Sequence, residues 1–166
     1  MAKDQEDVVK PARMKIINQA SIIIVVAIWL LAAGFFRHLP ADVPIHFNWQ
    51  GAPDHVGSKK LIFILPVLAT LLNLLLGYLA RHPELHNYPV KITKANSASW
   101  YERSAWLLFI VRLIVSAIFL VLTLIVIVSA LRCQSDKLFY LLTALVLAIP
   151  AGIAWVLIRP LSSKPS

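Results

Sequence analysis

The stretch that decides the fold is residues 39–60, LPADVPIHFNWQGAPDHVGSKK, which lies between two long apolar runs. Each run is long enough to cross a bilayer, so both ends of the stretch are held at one membrane surface and must lie close together. Prolines fix the backbone φ angle and remove amide donors, while glycines allow tight reversals; these residues are Pro40, Pro44, Pro53, Gly51 and Gly57. The sequence therefore predicts a compact Ω-like loop.

The composition predicts that lipid surrounds most of the chain. Of 166 residues, 59% are hydrophobic and 14% are charged, so the apolar surface exceeds what one small core can hide. The net charge of +8 does not indicate a nucleic-acid partner, because the basic residues cluster at the ends of apolar runs. Cys133 is the only cysteine, which excludes an internal disulfide and a cysteine metal cage.

Hydropathy predicts an all-α, four-helix membrane bundle with an ordered loop between its first two helices. The predicted spans are residues 16–36, 61–80, 105–131 and 138–158, within a single domain of residues 16–159. Residues 1–15 and 160–166 are predicted to be tails, the first of them flexible. Pro66 frees a carbonyl inside the second span, which favours packing against neighbouring helices. We expect Arg112 in the third span to snorkel to lipid phosphate.

The distribution of basic residues predicts the orientation. Ten Lys and Arg residues fall in the tails and the second connection, against five in the first loop and the last turn. Because cytoplasmic segments carry the excess of positive charge, both termini are expected in the cytoplasm and the 39–60 loop outside it.

The loop also carries a family resemblance. Its ordered motif, Pro44-Ile45-His46-Phe47-Asn48, then Gly51-Ala52-Pro53-Asp54 and Ser58-Lys59, resembles a bacterial membrane family with domain of unknown function 1648. A second segment after the second span is similar to that family's next loop, at Tyr88, Pro89, Lys91, Thr93, Asn96 and Tyr101. The domain also forms the N-terminal part of the immunity protein that protects spore-forming bacteria against the sporulation-delaying toxin. The resemblance implies a bacterial inner-membrane location and an immunity or signalling role.

Two interpretations of the first loop's polar side chains remain open. His46, Asp54 and His55, with His38 or Asp42 as further candidates, could bind Zn²⁺ or another divalent ion. Alternatively, Asp54 accepts loop amides, His46 donates to a carbonyl and Asn48 bonds its own backbone. The loop residues predicted to form a recognition site are Pro40, Pro44, His46, Phe47, Asn48, Gly51, Pro53, Asp54, Ser58 and Lys59.

Two further constellations lie in the second connection. His82 and His86 have the spacing of helical metal ligands, but Pro83 and the position beside the membrane favour simple interfacial solvation. The Tyr88 to Tyr101 segment could dock a soluble partner. Its ordinary interpretation is a proline-shaped turn, a helix start at Thr93 or at a capping box of Ser99 and Glu102, and interfacial aromatic anchors.

The sequence favours a non-enzymatic membrane protein without a cofactor. It contains neither a glycine-rich phosphate loop nor a nucleophile elbow, and no predicted span carries a histidine or an acid. We expect the loop after the first span to bind an extracytoplasmic peptide or protein, and expect a membrane-protein partner or a second copy of the chain. The alternative class is a metal-binding, transport or enzyme activity that uses the loop's His and Asp residues.

Overall fold

The computed structural model describes residues 12–48, 50–131, 140–141, 143–148 and 151. In this part of the chain, three long helices flank one small hairpin: α1 (Ala12–Phe35), β1 (Asp42–Phe47), β2 (Pro53–Ser58), α2 (Ile64–Leu79) and α3 (Ser97–Ala130). Short 3₁₀ helices at Lys59–Phe63 and Pro83–Leu85 complete the order. The segments Met14–Phe35, Lys59–Leu79 and Ser97–Ala130 are each long and apolar enough to cross a membrane.

The first three predicted spans coincide with these helices. Within the described residues, α1 starts at Ala12, inside the stretch predicted as a flexible tail, and Met14 packs in a buried cluster with Ala80 and Phe109. α3 begins at Ser97, eight residues before the predicted span 105–131; that the helix starts ahead of the membrane stays a prediction. Most of the fourth predicted span, 138–158, lies outside the described residues, as do residues 1–11 and the tail 160–166; residues 140–141, 143–148 and 151 are helical. The four-helix count stays a prediction.

The all-α prediction is wrong in the loop, where β1 and β2 form a two-stranded antiparallel sheet. The loop is therefore a hairpin. The apolar and polar residues of β1 alternate poorly, and Pro44 removes an amide donor, so the sequence carries only a weak strand signal.

The helices pack through three apolar clusters that follow one another along the length of the bundle. Ala32, Leu39, Val43, Ile62 and Ile127 form the cluster at the hairpin end. The middle cluster contains Val25, Ile28 and Ala69, and the cluster at the opposite end contains Met14, Ala80 and Phe109. Residue numbers rise toward the hairpin in α1 and α3 and fall toward it in α2. Helix α2 therefore runs antiparallel to α1 and to α3, as the hairpin and the second connection require, while α1 and α3 run parallel and pack against each other.

Helix α2 turns a stripe of small or polar side chains inward. Its buried residues recur at helical spacing, and they are Pro66, Ala69, Asn73 and Gly77. Leu71 and Leu74, on the other side, are 58% and 63% exposed. A helix that hides small residues and exposes leucine is typical of packing in lipid, where close backbone approach replaces the hydrophobic drive.

A buried polar cluster, hereafter the Arg112 cluster, joins all three helices. Nε and Nη2 of Arg112 donate to Oδ1 of Asn73, at 3.1 and 2.5 Å, and Nη1 donates to Oδ1 of Asn18. Asn73 donates in turn to the Ser116 hydroxyl at 3.0 Å. Arg112 is only 4% exposed, so the prediction that it snorkels to lipid phosphate is wrong. Amide oxygens from two other helices satisfy the guanidinium inside the bundle, and Gly77 leaves room for it.

Candidate functional site

The tip of the hairpin is built by Asn48 and Gly51. Asn48 Oδ1 accepts hydrogen bonds from the backbone amides of Gln50 and Ala52, both at 3.0 Å, which confirms that Asn48 bonds its own backbone. Gly51 donates its amide to the Asn48 carbonyl at 2.9 Å and has φ 78°, a left-handed conformation that favours glycine. These contacts close the turn without any external group.

The base of the hairpin is seated on the helix bundle. Leu39 and Val43 are 3% and 1% exposed and pack in the cluster with Ala32 and Ile127. Lys59 Nζ donates to the Leu39 carbonyl at 3.1 Å and lies 5.0 Å from the centre of the Phe36 ring. The Lys59 amide also donates to the Ala41 carbonyl. The base is therefore fixed to α1 and α3.

Irregular strand pairing places three ionisable side chains together. Pro44 faces Val56 and Phe47 faces Pro53, but between these pairs His46 faces His55, so the register shifts twice. In a regular strand, neighbours such as residues 54 and 55 point to opposite faces. A β-bulge changes the direction of side chains, and here it allows Asp54 and His55 to reach the same histidine.

His46, Asp54 and His55 form the cluster that we call the hairpin triad. Oδ1 of Asp54 accepts from Nδ1 of His46 at 2.5 Å and from Nδ1 of His55 at 3.3 Å. The two imidazole rings meet edge to face, with centres 5.7 Å apart. The hydrogen bond from His46, followed by that from His55, holds the pKa of the Asp54 carboxyl below its ordinary value of 3.8. Asp54 is therefore an anion at neutral pH.

The triad is open to its surroundings. The side chains of His46, His55 and Asp54 are 65%, 73% and 36% exposed. The three candidate ligand atoms lie within 4.8 Å of one another, and no other group of this kind occurs among the residues that the structure describes. His38 and Asp42, the further candidates, are not part of it. In the described part of the chain Asp54 accepts from the two imidazoles and not from loop amides, and His46 donates to Asp54 and not to a carbonyl; the Asn48 part of the local alternative is confirmed.

The remaining predicted loop residues shape the hairpin. Pro44 is buried, Phe47 pairs with Pro53 across the strands, and Pro40 is exposed just before β1. The Ser58 hydroxyl accepts from the amide of Lys60 at 3.5 Å as the first 3₁₀ helix begins. Two exposed apolar side chains flank the triad along the chain: Ile45 is 51% exposed and Val56 is 66% exposed.

In the second connection, the motif residues satisfy local groups. The Tyr88 hydroxyl donates to the Pro83 carbonyl at 2.7 Å and lies 2.8 Å from the Ser104 hydroxyl, while burial raises the pKa of Tyr88. The Tyr88 ring contacts Trp100 and Tyr101. Asn96 accepts from the Thr93 amide and donates to the Lys91 carbonyl. Pro89, between these residues, is exposed.

The predicted helix starts in this connection are wrong. α3 begins at Ser97, after Asn96, so Thr93 lies ahead of the helix and Ser99 lies within its first turn. The Ser99 hydroxyl donates back to the Asn96 carbonyl instead of forming a capping box with Glu102. The Asn96 side chain bonds the segment ahead of the helix, and α3 starts without a side-chain cap.

His82 and His86 do not form a ligand pair. Nδ1 of His82 donates to Glu84 at 3.0 Å, and Nε2 of His86 donates to the Leu79 carbonyl at the end of α2. A backbone hydrogen bond at Glu84 and then the His82 ring lower the pKa of the Glu84 carboxyl. The 3₁₀ helix Pro83–Leu85 ends the helical spacing on which the metal interpretation depended.

Sequence reasoning missed the Arg112 cluster. The available signal was an amide or charged side chain inside each of three apolar runs: Asn18, Asn73 and Arg112. Polar side chains inside apolar spans commonly face the bundle interior, so their depths along the spans could have been compared.

Comparisons with known proteins match the part of the chain that contains the hairpin. Residues 22–70 match the family model described as Domain of unknown function (DUF1648), and this range contains the whole hairpin with parts of α1 and α2. An "Uncharacterized protein" from Archaeoglobus fulgidus is 26% identical, over 92% of this chain and 91% of its own length. No solved structure matches the chain. The suggested kinship with the toxin-immunity protein stays a prediction.

Proposed function

We propose that this chain is a non-enzymatic, multi-pass membrane protein whose hairpin binds an extracytoplasmic peptide or protein. One observation carries the proposal: the hairpin has a base fixed in the bundle and strands that expose both polar and apolar side chains. The positive-inside distribution of Lys and Arg supports cytoplasmic termini in a prokaryotic cytoplasmic membrane, with the hairpin on the outer face. An immunity, signalling or accessory-subunit role agrees with this arrangement.

The rigidity of the hairpin supports binding. A surface that is already ordered loses less conformational entropy when a ligand docks. The buried Leu39 and Val43 and the Lys59 contacts supply that order at the base, and the Asn48 bonds supply it at the tip. A binding surface, unlike a catalytic one, needs neither a nucleophile nor a general base.

The mixed chemistry of the exposed strand residues supports a peptide or protein ligand. Ile45 and Val56 offer apolar surface on the same two strands that carry the charged Asp54 and the two imidazoles. Protein interfaces commonly combine an apolar centre with polar groups that fix orientation. The neighbouring position of such groups on one hairpin matches this pattern.

The first experiment tests the side of the membrane. In a Cys133→Ser background, Val56→Cys and Leu85→Cys place one thiol at each end of the bundle, on residues that are 66% and 57% exposed. We expect an impermeant maleimide to label position 56 in intact cells and position 85 only after lysis. The reverse result would overturn the outward orientation.

The second experiment tests binding. A photo-crosslinking amino acid at position 56 is expected to capture a specific peptide or protein, whereas the same group at position 85 should not capture it. Ile45→Ser with Val56→Ser should reduce capture from an adjacent crosslinking position, Ala52, without reducing membrane abundance. Equal loss of abundance and capture would assign these residues to folding and would contradict the proposal.

A further inference from the structure

We propose that the hairpin triad is a binding site for a divalent transition-metal ion, with Zn²⁺ the best fit. The inference deepens the proposed function and rests on it, because the ion would be part of the surface that the hairpin presents to its ligand. The ligands would be Nδ1 of His46, a carboxylate oxygen of Asp54 and Nδ1 of His55.

The distances within the triad suit tetrahedral coordination. Zn²⁺ binds nitrogen and carboxylate oxygen at about 2.0–2.2 Å, which places neighbouring ligand atoms about 3.3 Å apart in a tetrahedron. The Asp54 to His55 separation is 3.3 Å. The Asp54 to His46 separation of 2.5 Å must widen by less than about one ångström, which side-chain rotation on an exposed strand permits.

The donor set selects the kind of ion. Two imidazole nitrogens favour Zn²⁺, Ni²⁺, Cu²⁺ and Co²⁺, whereas Ca²⁺ and Mg²⁺ prefer sites made of oxygen atoms. Asp54 is already ionised at neutral pH and supplies one negative charge. Each Nδ1 must lose its proton to bind the ion, so the ion replaces the hydrogen bonds that now join the rings to Asp54.

The backbone holds the ligands near one another before any ion arrives. His46 and His55 are cross-strand partners, and paired residues lie on both sides of the bulge, Pro44 with Val56 and Phe47 with Pro53. Three protein ligands leave a fourth position for water or for a donor atom of the bound peptide, as in open zinc sites. The exposure of both rings leaves this position accessible.

The experiment is a zinc titration of the purified full chain. The protein, in detergent or lipid nanodiscs and freed of metal by a chelator, is titrated with ZnCl₂ and followed by calorimetry. We expect one ion per chain and an affinity that falls by about 100-fold or more in Asp54→Asn and in His55→Ala, since even outer partners of metal ligands are worth 10–100-fold. His38→Ala, and His82→Ala with His86→Ala, are matched controls that should bind as the parent does.

A second measurement needs no variant. Zn²⁺ should shift the ring NMR signals of His46 and His55 together at one equivalent and leave those of His82 and His86 unchanged. A parent chain without stoichiometric binding would overturn the metal site. Binding that depends on His82 and His86 instead would also overturn it.

The metal site and the proposed function fail separately. A chain that binds no zinc but still captures its partner through the hairpin overturns the inference alone. Zinc binding in a chain with no hairpin-dependent partner supports the site and overturns the proposed peptide recognition. If both hold, zinc removal should weaken partner capture in the parent chain. Capture that does not depend on zinc would overturn the claim that the ion is part of the recognition surface.

Discussion

The Arg112 cluster and the hairpin triad are two small polar groups in one largely apolar protein, and they differ in exposure. Arg112 is 4% exposed and takes its partners from two other helices, whereas the triad's histidine side chains are 65% and 73% exposed and lie on one hairpin. A buried polar group depends on every partner, because water cannot replace a lost one. The Arg112 cluster therefore belongs to folding, and the triad is available for binding.

The largest expected effect follows from removing Asn73. Asn73→Leu leaves the buried guanidinium with Asn18 as its remaining described side-chain acceptor. Losing one partner of a buried charge costs about 3–5 kcal/mol. We expect a comparable loss in the free energy of unfolding, measured by denaturant titration in lipid bicelles, with zinc binding at the hairpin unchanged in the fraction that remains folded.

The double variant Asn73→Leu, Arg112→Met is the control. It removes the charge together with its acceptor and should be more stable than Asn73→Leu alone, because coupled partners are not additive. The free energy of unfolding that the double variant loses is compared with the sum of the losses in Asn73→Leu and in Arg112→Met. If it equals that sum, the Arg112 cluster is not a coupled network, and the contrast with the triad fails.

A smaller effect is expected at Gly77, which makes room for Arg112. A Cβ at this position would lie 2.9 Å from Cζ and Nη1 of Arg112, and the hydrogen bonds to Asn18 and Asn73 prevent the guanidinium from moving away freely. Gly77→Ala should cost about 1–3 kcal/mol by overpacking. Thermal unfolding in the same bicelles measures it.

Gly34→Ala is the matched control, since nothing lies within 4 Å of a Cβ at that helical position. There, alanine should be neutral or stabilising by about 0.5–1 kcal/mol through helix propensity. A cost at Gly34 as large as that at Gly77 would show that the steric argument is wrong.

Weakening the attachment of the hairpin to the bundle should reduce stability by a smaller amount still. Lys59→Met removes the hydrogen bond to the Leu39 carbonyl and the contact with the Phe36 ring, together worth about 1 kcal/mol. We expect faster amide hydrogen exchange in β1 and β2 and little change in the helices. Lys60→Met, at the exposed neighbouring position, should leave exchange unchanged, and an equal effect there would contradict a specific clamp.

Much of the fold could be predicted because apolar runs of span length leave few alternatives. The three described helices, the compact loop and the early start of the third helix all follow from hydropathy and turn residues. The hairpin could not be predicted, since its pairing depends on Asn48 accepting two amides and on two register shifts that no periodicity reveals.

The candidate site could likewise be predicted in part from the sequence. His46, Asp54 and His55 could be proposed from residue type alone, but only the bulged register shows that their ligand atoms meet. Lys59 holds the hairpin base, while its predicted recognition role stays a prediction. The convergence of Asn18, Asn73 and Arg112 depends on the relative depth of three helices, which one-dimensional hydropathy does not define.

The smallest expected effect is a pH dependence confined to the hairpin. The folded pKa of Asp54 lies below 3.8, so its stabilising contribution is fully present above that value and is lost as pH falls through the lower, folded pKa. A carboxyl ¹³C NMR titration should give a midpoint below 3.8, and hairpin amides should exchange faster once that midpoint is passed. His46→Gln should raise the midpoint more than His55→Gln, because the His46 hydrogen bond is the larger cause of the shift. A midpoint at or above 3.8 in the parent chain would contradict the triad geometry.

The Arg112 cluster consists of Asn18, Asn73, Arg112 and Ser116 and contains no acid, so its contacts should persist through the same range of pH while the triad comes apart.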